Sequence, residues 1–364
     1  MLSLNLYDTA FYFIFAFLLL FAAFQTLVRN HRVVDVNRAI EIFVVFFAIG
    51  VVSHYVSNRP FDMEGDTAVY INFFNDLNSG LENPFETFEP GFIGVVRLFG
   101  YLSLDYQSFF YLITFVFLWS YYFLIKAVLG RHSRWALFAF AAILFYPFFF
   151  SLTANIIRQG LALCFINFSL CFTAIGCRSR GMFFTLFAAL FHKSSIIYFP
   201  ILLFQRLVLK IGVYGLVVLW FVVSLASYLK LFGLLVVVLF DFLSGYGLVI
   251  NYSDVDNVDY VTGFRWDFWA FSSLAVMLLV TLKLLGEKLQ KRETYIFFIC
   301  AFLSCLHIAM FDVAYNDRFG IYSWIYYPLE LAYVIRAISI NFANGKRRFH
   351  VQEKAIAFKG VENC

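Results

Sequence analysis

Runs of about 18–24 mostly apolar residues recur along the whole chain and limit its fold class before any motif is considered. A run of that length crosses the hydrocarbon of a bilayer as a helix, whereas a spanning β-strand needs only about ten residues of alternating polarity. Of the 364 residues, 62% are hydrophobic and 14% charged, and 51 are phenylalanine. A soluble fold must clothe its surface in polar side chains, and this chain has too few of them. A soluble enzyme, a disordered chain and a nucleic-acid-binding domain are therefore excluded. An all-α polytopic integral membrane protein is expected.

Spans are expected near 10–28, 40–57, 106–125, 135–152, 157–176, 181–204, 211–228, 231–245, 266–285, 295–312 and 321–338, about eleven in all. Residues 90–104 are apolar but short and carry Pro90, Gly91, Arg97 and Gly100, which suits an interfacial or re-entrant piece. The first run is not read as a cleaved signal, because no basic residue precedes it and a Lys/Arg cluster follows it. Threading the spans alternately gathers Arg29, Arg32, Arg38, Lys126, Arg178, Arg180, Lys230, the cluster at 283–292 and the basic tail on one side. The other side keeps Arg59, Arg97, Arg158, Arg206, Lys210, Arg265 and Arg318. The positive-inside rule makes the first side cytoplasmic, with the N-terminus outside and the C-terminus inside. The run 181–204 could instead return to its own side as two half-helices about His192-Lys193-Ser194-Ser195; the charge distribution favours one span. The chain reads as a single membrane domain over 1–338 followed by a basic cytoplasmic tail, 339–364. Two long acidic outer loops, 57–89 and 246–265, are where function is expected to concentrate.

Polar residues inside or at the ends of such spans are costly and call for an account. Asn155-Ile-Ile-Arg158-Gln159-Gly160 opens a span at its outer end. Arg158 either snorkels to headgroups or, beside the free N–H groups of a helix start, holds a diphosphate. His192 either is satisfied by neighbouring helices or faces a hydrated cavity, where imidazole handles a proton or a phosphate. Arg265 and Asp267, in Phe264-Arg-Trp-Asp-Phe268, form either an interfacial ion pair in an aromatic belt or part of the same site. With Arg318 they bring three outer-face arginines into play, a pattern suited to an anionic ligand. Asp62-x-Glu64-x-Asp66 and Asp254-x-Asp256-x-x-Asp259 have oxygen ligands for a divalent cation but lack the EF-hand glycine and terminal glutamate. They are read as solvated loops, and no metal or cofactor is expected. The six cysteines form no CxxC pair and read as small apolar residues. Glu330, in the last run, is expected to be paired or beside a polar cavity.

The ordered set of motifs resembles the EpsG family, whose members are similar in function to Wzy-type O-antigen polymerases. The resemblance rests on Asp66-Thr-Ala-Val-Tyr70, Glu89-Pro-Gly-Phe92, Asn155-Ile-Ile-Arg158-Gln159-Gly160-Leu-Ala162, Phe191-His192-Lys193-Ser194-Ser195, Arg265-Trp-Asp267-Phe268 and Asp317-Arg318-Phe319. It implies a glycosyltransferase of the bacterial cytoplasmic membrane that joins oligosaccharide repeat units carried on undecaprenyl diphosphate at the outer face. Membrane lipid and a chain-length regulator are then its candidate partners. The chemistry needs cations for the departing diphosphate, for which Arg158, Arg265 and Arg318 stand ready, with Gln159 as a neutral donor. It also needs a general base for the acceptor hydroxyl, with Asp66, Glu89, His192 and Asp267 open as choices and His192 or Glu89 favoured. A flippase for the same lipid-linked units is the rival reading, although no pseudo-symmetric halves are visible. A membrane acyltransferase is a third, and it is expected to need a donor site facing the cytoplasm.

Overall fold

The computed structural model describes residues 9–27, 34–59, 66–81, 88–130, 135–233, 262–287, 289 and 291–342. Among these residues every regular element is helical. The first five are α1 (Thr9–Leu27), α2 (Val34–Ser57), α3 (Thr67–Ser79), α4 (Pro90–Tyr101) and α5 (Tyr106–Leu129). Next come α6 (Trp135–Leu144), α7 (Pro147–Phe150), α8 (Ile157–Ala174), α9 (Arg178–Ala189), α10 (Tyr198–Leu203) and α11 (Gln205–Tyr228). The last are α12 (Trp266–Leu284), α13 (Lys291–Ala309), α14 (Asp317–Trp324) and α15, residues 327–342. The expected loop acids Asp62, Glu64, Glu82, Glu86, Asp254, Asp256 and Asp259 lie outside the described residues, as do most of the 231–245 run and the basic tail.

Six described helices are long and apolar enough to cross a membrane, and the bent pair Trp135–Leu144 and Pro147–Asn155 makes a seventh. The chain is a multi-pass membrane protein. The bend of 65° has a local cause. Tyr146 is extended, Pro147 restarts the helix without an N–H to offer the preceding turn, and residues Ser151–Asn155 wind as a π turn before α8 begins. The expected last span, 321–338, is likewise broken, between α14 and α15. The backbone carbonyl freed there, on Ile325, accepts from the Tyr121 hydroxyl at 2.9 Å, and the neighbouring Tyr326 hydroxyl donates to Asn167 Oδ1 at 3.0 Å. Irregular backbone at membrane depth is tolerable where protein groups satisfy it in this way. Glu330, expected to be paired or beside a polar cavity, is fully buried in α15, and neither carboxyl oxygen has a hydrogen-bond partner.

Side-chain contacts sort the helix ends into two groups. Glu41, early in α2, accepts from Tyr122 at 2.6 Å and Lys126 at 2.7 Å, late in α5. At the opposite ends, the Arg59 guanidinium lies 4.1 Å over the Phe110 ring, so α2 and α5 are antiparallel. α8 and α9 are also antiparallel, joined by Ser169 to Thr185 at 2.8 Å and by stacked Phe172 and Phe184 rings.

The run 181–204 is not the single span that the charges favoured. α9 stops at Ala189, His192 is extended, a 3₁₀ turn covers Lys193–Ile197, and α10 leads back until the Leu203 carbonyl accepts from the Arg178 guanidinium. The segment is a hairpin that enters and leaves at one end of the bundle, with His192 near its tip. Arg206 and Lys210, at the start of α11, therefore join the end that carries Lys126 and Arg178, not the end assigned to them by alternate threading. Lys230 moves the other way. A second difference cancels the effect on everything downstream. Gly233 sits against Asp312 and Gly263 donates to the Phe311 carbonyl at 2.8 Å, so both flanks of 234–261 are at the Arg318 end. Arg59, Arg158, Arg265 and Arg318 thus share one end of the bundle, while Lys126, Arg178, Lys283 and Arg292 share the other.

The hairpin is open to a direct check. Single cysteines at Ser179 and Leu207, in a background lacking the native cysteines, are expected to react with an impermeant thiol reagent from the same side of the membrane. Labelling from opposite sides would restore the single span.

Candidate functional site

Glu89 is the residue before α4, and its placement begins with its neighbours. Pro90 is the first helical residue, which fixes the chain direction, and the backbone N–H of Gly91 donates to the Leu190 carbonyl at 2.8 Å. A Cβ on Gly91 would stand 2.7 Å from that oxygen, so only glycine allows α4 to rest on the hairpin this closely. The contact sets the Glu89 carboxylate beside the hairpin tip. One oxygen accepts from the Arg158 guanidinium at 2.6 Å. The other accepts from the backbone N–H of Lys193 at 3.1 Å and lies 3.4 Å from His192 Nδ1.

Arg158 is placed by a second close approach. At Gly160, two residues on, a Cβ would collide with the Leu152 carbonyl, so the first turn of α8 sits directly against the π turn before it. The guanidinium lies 4.1 Å over the Phe88 ring, and its Nε is 3.4 Å from the Tyr70 hydroxyl. A side-chain exposure of 19% leaves part of it open to a ligand. His192 is only 6% exposed; its Nδ1 meets Glu89 in a long, poorly aligned contact of 3.4 Å, and its Nε2 has no hydrogen-bond partner. Lys193, one residue on, is exposed and turned away.

Burial alone would push the Glu89 carboxyl up. The adjacent His192 imidazole and the Arg158 charge outweigh it and hold the carboxyl down to about 2. Glu89 is therefore a fixed anion at any physiological pH and a weak base.

Gln159 and Arg318 join this group through the backbone. The Gln159 side-chain amide donates to the Arg318 carbonyl at 2.6 Å, while its own oxygen is buried with no partner. The Arg318 guanidinium rests over Tyr315 and comes within 4.0 Å of Asp66, which is half exposed. Of the expected site residues, the structure brings together Asp66, Glu89, Arg158, Gln159, His192 and Arg318. Arg265 and Asp267 form a separate group at the same end. The Arg265 guanidinium grips Asp267 through two bonds of 3.1 and 2.5 Å and lies 3.6 Å over Phe268. Among the described contacts none ties that pair to Glu89.

Sequence reasoning missed two contributors. Tyr70 stood inside a quoted motif but was given no role. Arg59 was counted only as an outer charge, yet it donates to the carbonyls of Val56 and Ala154 at 3.0 Å each, tying the end of α2 to the π turn. Its signal was its position, an arginine directly after a span on the side poor in basic residues. Among the described residues no three His, Cys, Asp or Glu side chains converge as a metal site would require.

The model of the EpsG family matches residues 41–346. The chain belongs to the EpsG family. The matched region contains every motif named above, from Asp66 to Arg318. No curated protein and no solved structure matches it.

Replacing Glu89 by Gln leaves Arg158 without its counter-charge in a largely buried setting, and is expected to cost about 2–4 kcal/mol of stability. A carboxyl held low in the folded state contributes fully above its unfolded value, about 4.3, and that contribution is lost as pH falls toward 2. Melting temperatures in detergent should therefore show an acid-dependent loss from about pH 4.3 down to about 2 that is smaller in Glu89→Gln. Equal acid profiles would refute the pairing.

Proposed function

We infer that this EpsG-family protein is a polysaccharide polymerase, a membrane glycosyltransferase that joins lipid-diphosphate-linked repeat units. The observation that carries the reading is the junction of Glu89, Arg158 and His192 at one membrane-facing end of the bundle. The positive-inside rule favours an outer face for that end, because Lys126, Arg178, Arg206, Lys283 and Arg292 gather at the other. In a bacterium this is the outer face of the cytoplasmic membrane, where units carried on undecaprenyl diphosphate are presented.

The proposed step is a displacement at the anomeric carbon of the donor sugar. The acceptor hydroxyl gives its proton to His192, its oxygen bonds to the anomeric carbon, and the bond from that carbon to the diphosphate breaks. The lipid diphosphate leaves with the electron pair. Arg158 has five N–H donors, of which Glu89 and Tyr70 occupy two, so others are free for the diphosphate oxygens. Arg318 supplies a second charge nearby. Fixed donors aimed at developing negative charge supply a large part of the rate enhancement in such sites. His192 is favoured as the base because its Nε2 has no hydrogen-bond partner and its Nδ1 faces the Glu89 carboxylate, whereas Glu89 is held too acidic to take a proton readily. Glu89 then stabilises the imidazolium as it forms and keeps Arg158 in place. Arg265 and Asp267 are assigned to substrate binding beyond this centre, at the same end.

Purified protein supplied with lipid-linked repeat units tests the assignment. Arg158→Ala is expected to abolish polymerisation at matched protein levels, and Arg158→Lys to recover little, since a point charge does not reproduce the planar fork. His192→Gln is expected to lose at least about 100-fold, because glutamine keeps hydrogen bonding but cannot take the proton. Full activity in both His192→Gln and His192→Ala would remove His192 from the chemistry. In cells, loss of a polymerase leaves single capped repeat units on the surface, whereas loss of a flippase leaves none.

A further inference from the structure

The end of the bundle away from Glu89 carries a feature that the polymerase reading does not use. A cavity of about 540 Å³ opens there between α5 and α8, a size in the range that holds small-molecule ligands. Its walls are Trp119 and Phe123 of α5 and Phe168 and Phe172 of α8, and its rim carries Lys126 and Arg292. α8 rises about 27 Å from Ile157 to Ala174, so the cavity and the Arg158 site lie at opposite ends of the bundle.

The charges at the rim are unequal in their commitments. Lys126 is bonded to Glu41 at 2.7 Å, which leaves two of its three N–H groups for another acceptor. Arg292 is exposed, and its bond to the Ala127 carbonyl, at 3.5 Å, is at the outer limit of a hydrogen bond. Arg180, at the start of α9, brings a third cation to within 5.8 Å of the Phe172 ring. α5 and α8 both end at this face, so their terminal carbonyls add negative potential, and the cations offset it. Cations set at the mouth of an aromatic-lined, apolar groove match a molecule with an anionic head and a hydrocarbon chain.

We propose that this cavity binds a diacyl anionic phospholipid. Its phosphate sits between Arg292 and Lys126, and one acyl chain lies along Phe123, Phe168 and Phe172. Basic pockets between membrane helices recognise such headgroups, and the neutral diacyl lipids lack the charge that the rim selects. The inference is independent of the polymerase assignment, since it concerns the other end of the bundle.

Native mass spectrometry of the full chain, delipidated and re-supplied with phosphatidylglycerol or phosphatidylcholine at equal concentration, tests it. The wild type is expected to retain phosphatidylglycerol three- to tenfold more than phosphatidylcholine. Arg292→Gln combined with Arg180→Gln should erase that preference. Cys171→Trp, which fills the groove from α8 without touching a charge, should reduce retention of both lipids and keeps the proposal testable if the charge variant does not fold. Equal retention of the two lipids by the wild type overturns the proposal. So does undiminished phosphatidylglycerol binding in Cys171→Trp, or displacement of phosphatidylglycerol by an equal concentration of a polyisoprenyl phosphate.

Discussion

The Glu89 carboxylate joins three pieces of chain that are far apart in sequence. It is bonded to Arg158 at the start of α8 and to the Lys193 N–H at the hairpin, and it begins α4. Each of those groups would be costly at a membrane edge without it. A guanidinium of low exposure needs a counter-charge, and a backbone N–H at a helix break needs an acceptor. One ionised carboxylate meets both needs. It also fixes His192 beside itself by chain connectivity, with Nδ1 3.4 Å from the anion and Nε2 without a hydrogen-bond partner. The close approaches at Gly91 and Gly160 bring the carboxylate and the guanidinium within reach of each other.

The rest of the bundle holds this junction by packing and by satisfying its own irregularities. The bent pair α6–α7, the broken α14–α15 and the α9–α10 hairpin all interrupt helices at membrane depth. Tyrosine hydroxyls meet the α14–α15 break from two sides: Tyr121 donates to the Ile325 carbonyl and Tyr198, from the hairpin, to the Tyr322 carbonyl at 2.6 Å. The aromatic content therefore does more than face lipid. Tyr121, Tyr198, Tyr322 and Tyr326 are fully buried: the first two donate to backbone carbonyls and the last two bond the side chains of Ser194 and Asn167, while Tyr121 stacks on Tyr326 and Tyr198 meets Tyr322 edge to face. Membership of the EpsG family over 41–346 extends across all of these elements.

Several features were legible without coordinates. The apolar runs located α2, α5, α8, α11, α12 and α13 because hydrocarbon thickness sets a minimum helix length. Residues 90–104, read as too short to span, contain the 12-residue helix α4. The motif order brought Asp66, Glu89, Arg158, His192 and Arg318 into one hypothesis, and the fold places them in one cluster. Hydropathy could not separate a span from a hairpin at 181–204, since both bury the same apolar residues. The polar His192-Lys193-Ser194 at its middle was the only hint, and the balance of basic residues argued the other way. That balance misled because Arg206, Lys210 and Lys230 were assigned by parity, and parity fails when a segment turns back. Gly233 and Gly263 both lie at the Arg318 end, which restored the sides of everything after Gly263.

Composition and run length alone determined that this chain is a helical membrane protein, because apolar surface on that scale has no other solvent. They also marked the polar residues that a bilayer does not tolerate without cause. Which of those residues meet was decided only by tertiary structure. Arg158 and Arg265 both stand at the same end of the bundle in aromatic surroundings, and nothing in their neighbouring residues says that one pairs with Glu89, 69 positions away, and the other with Asp267, two positions away. The partner of a charge depends on which helices lie side by side. That is set by close contacts such as Gly91 on Leu190, which no local pattern encodes.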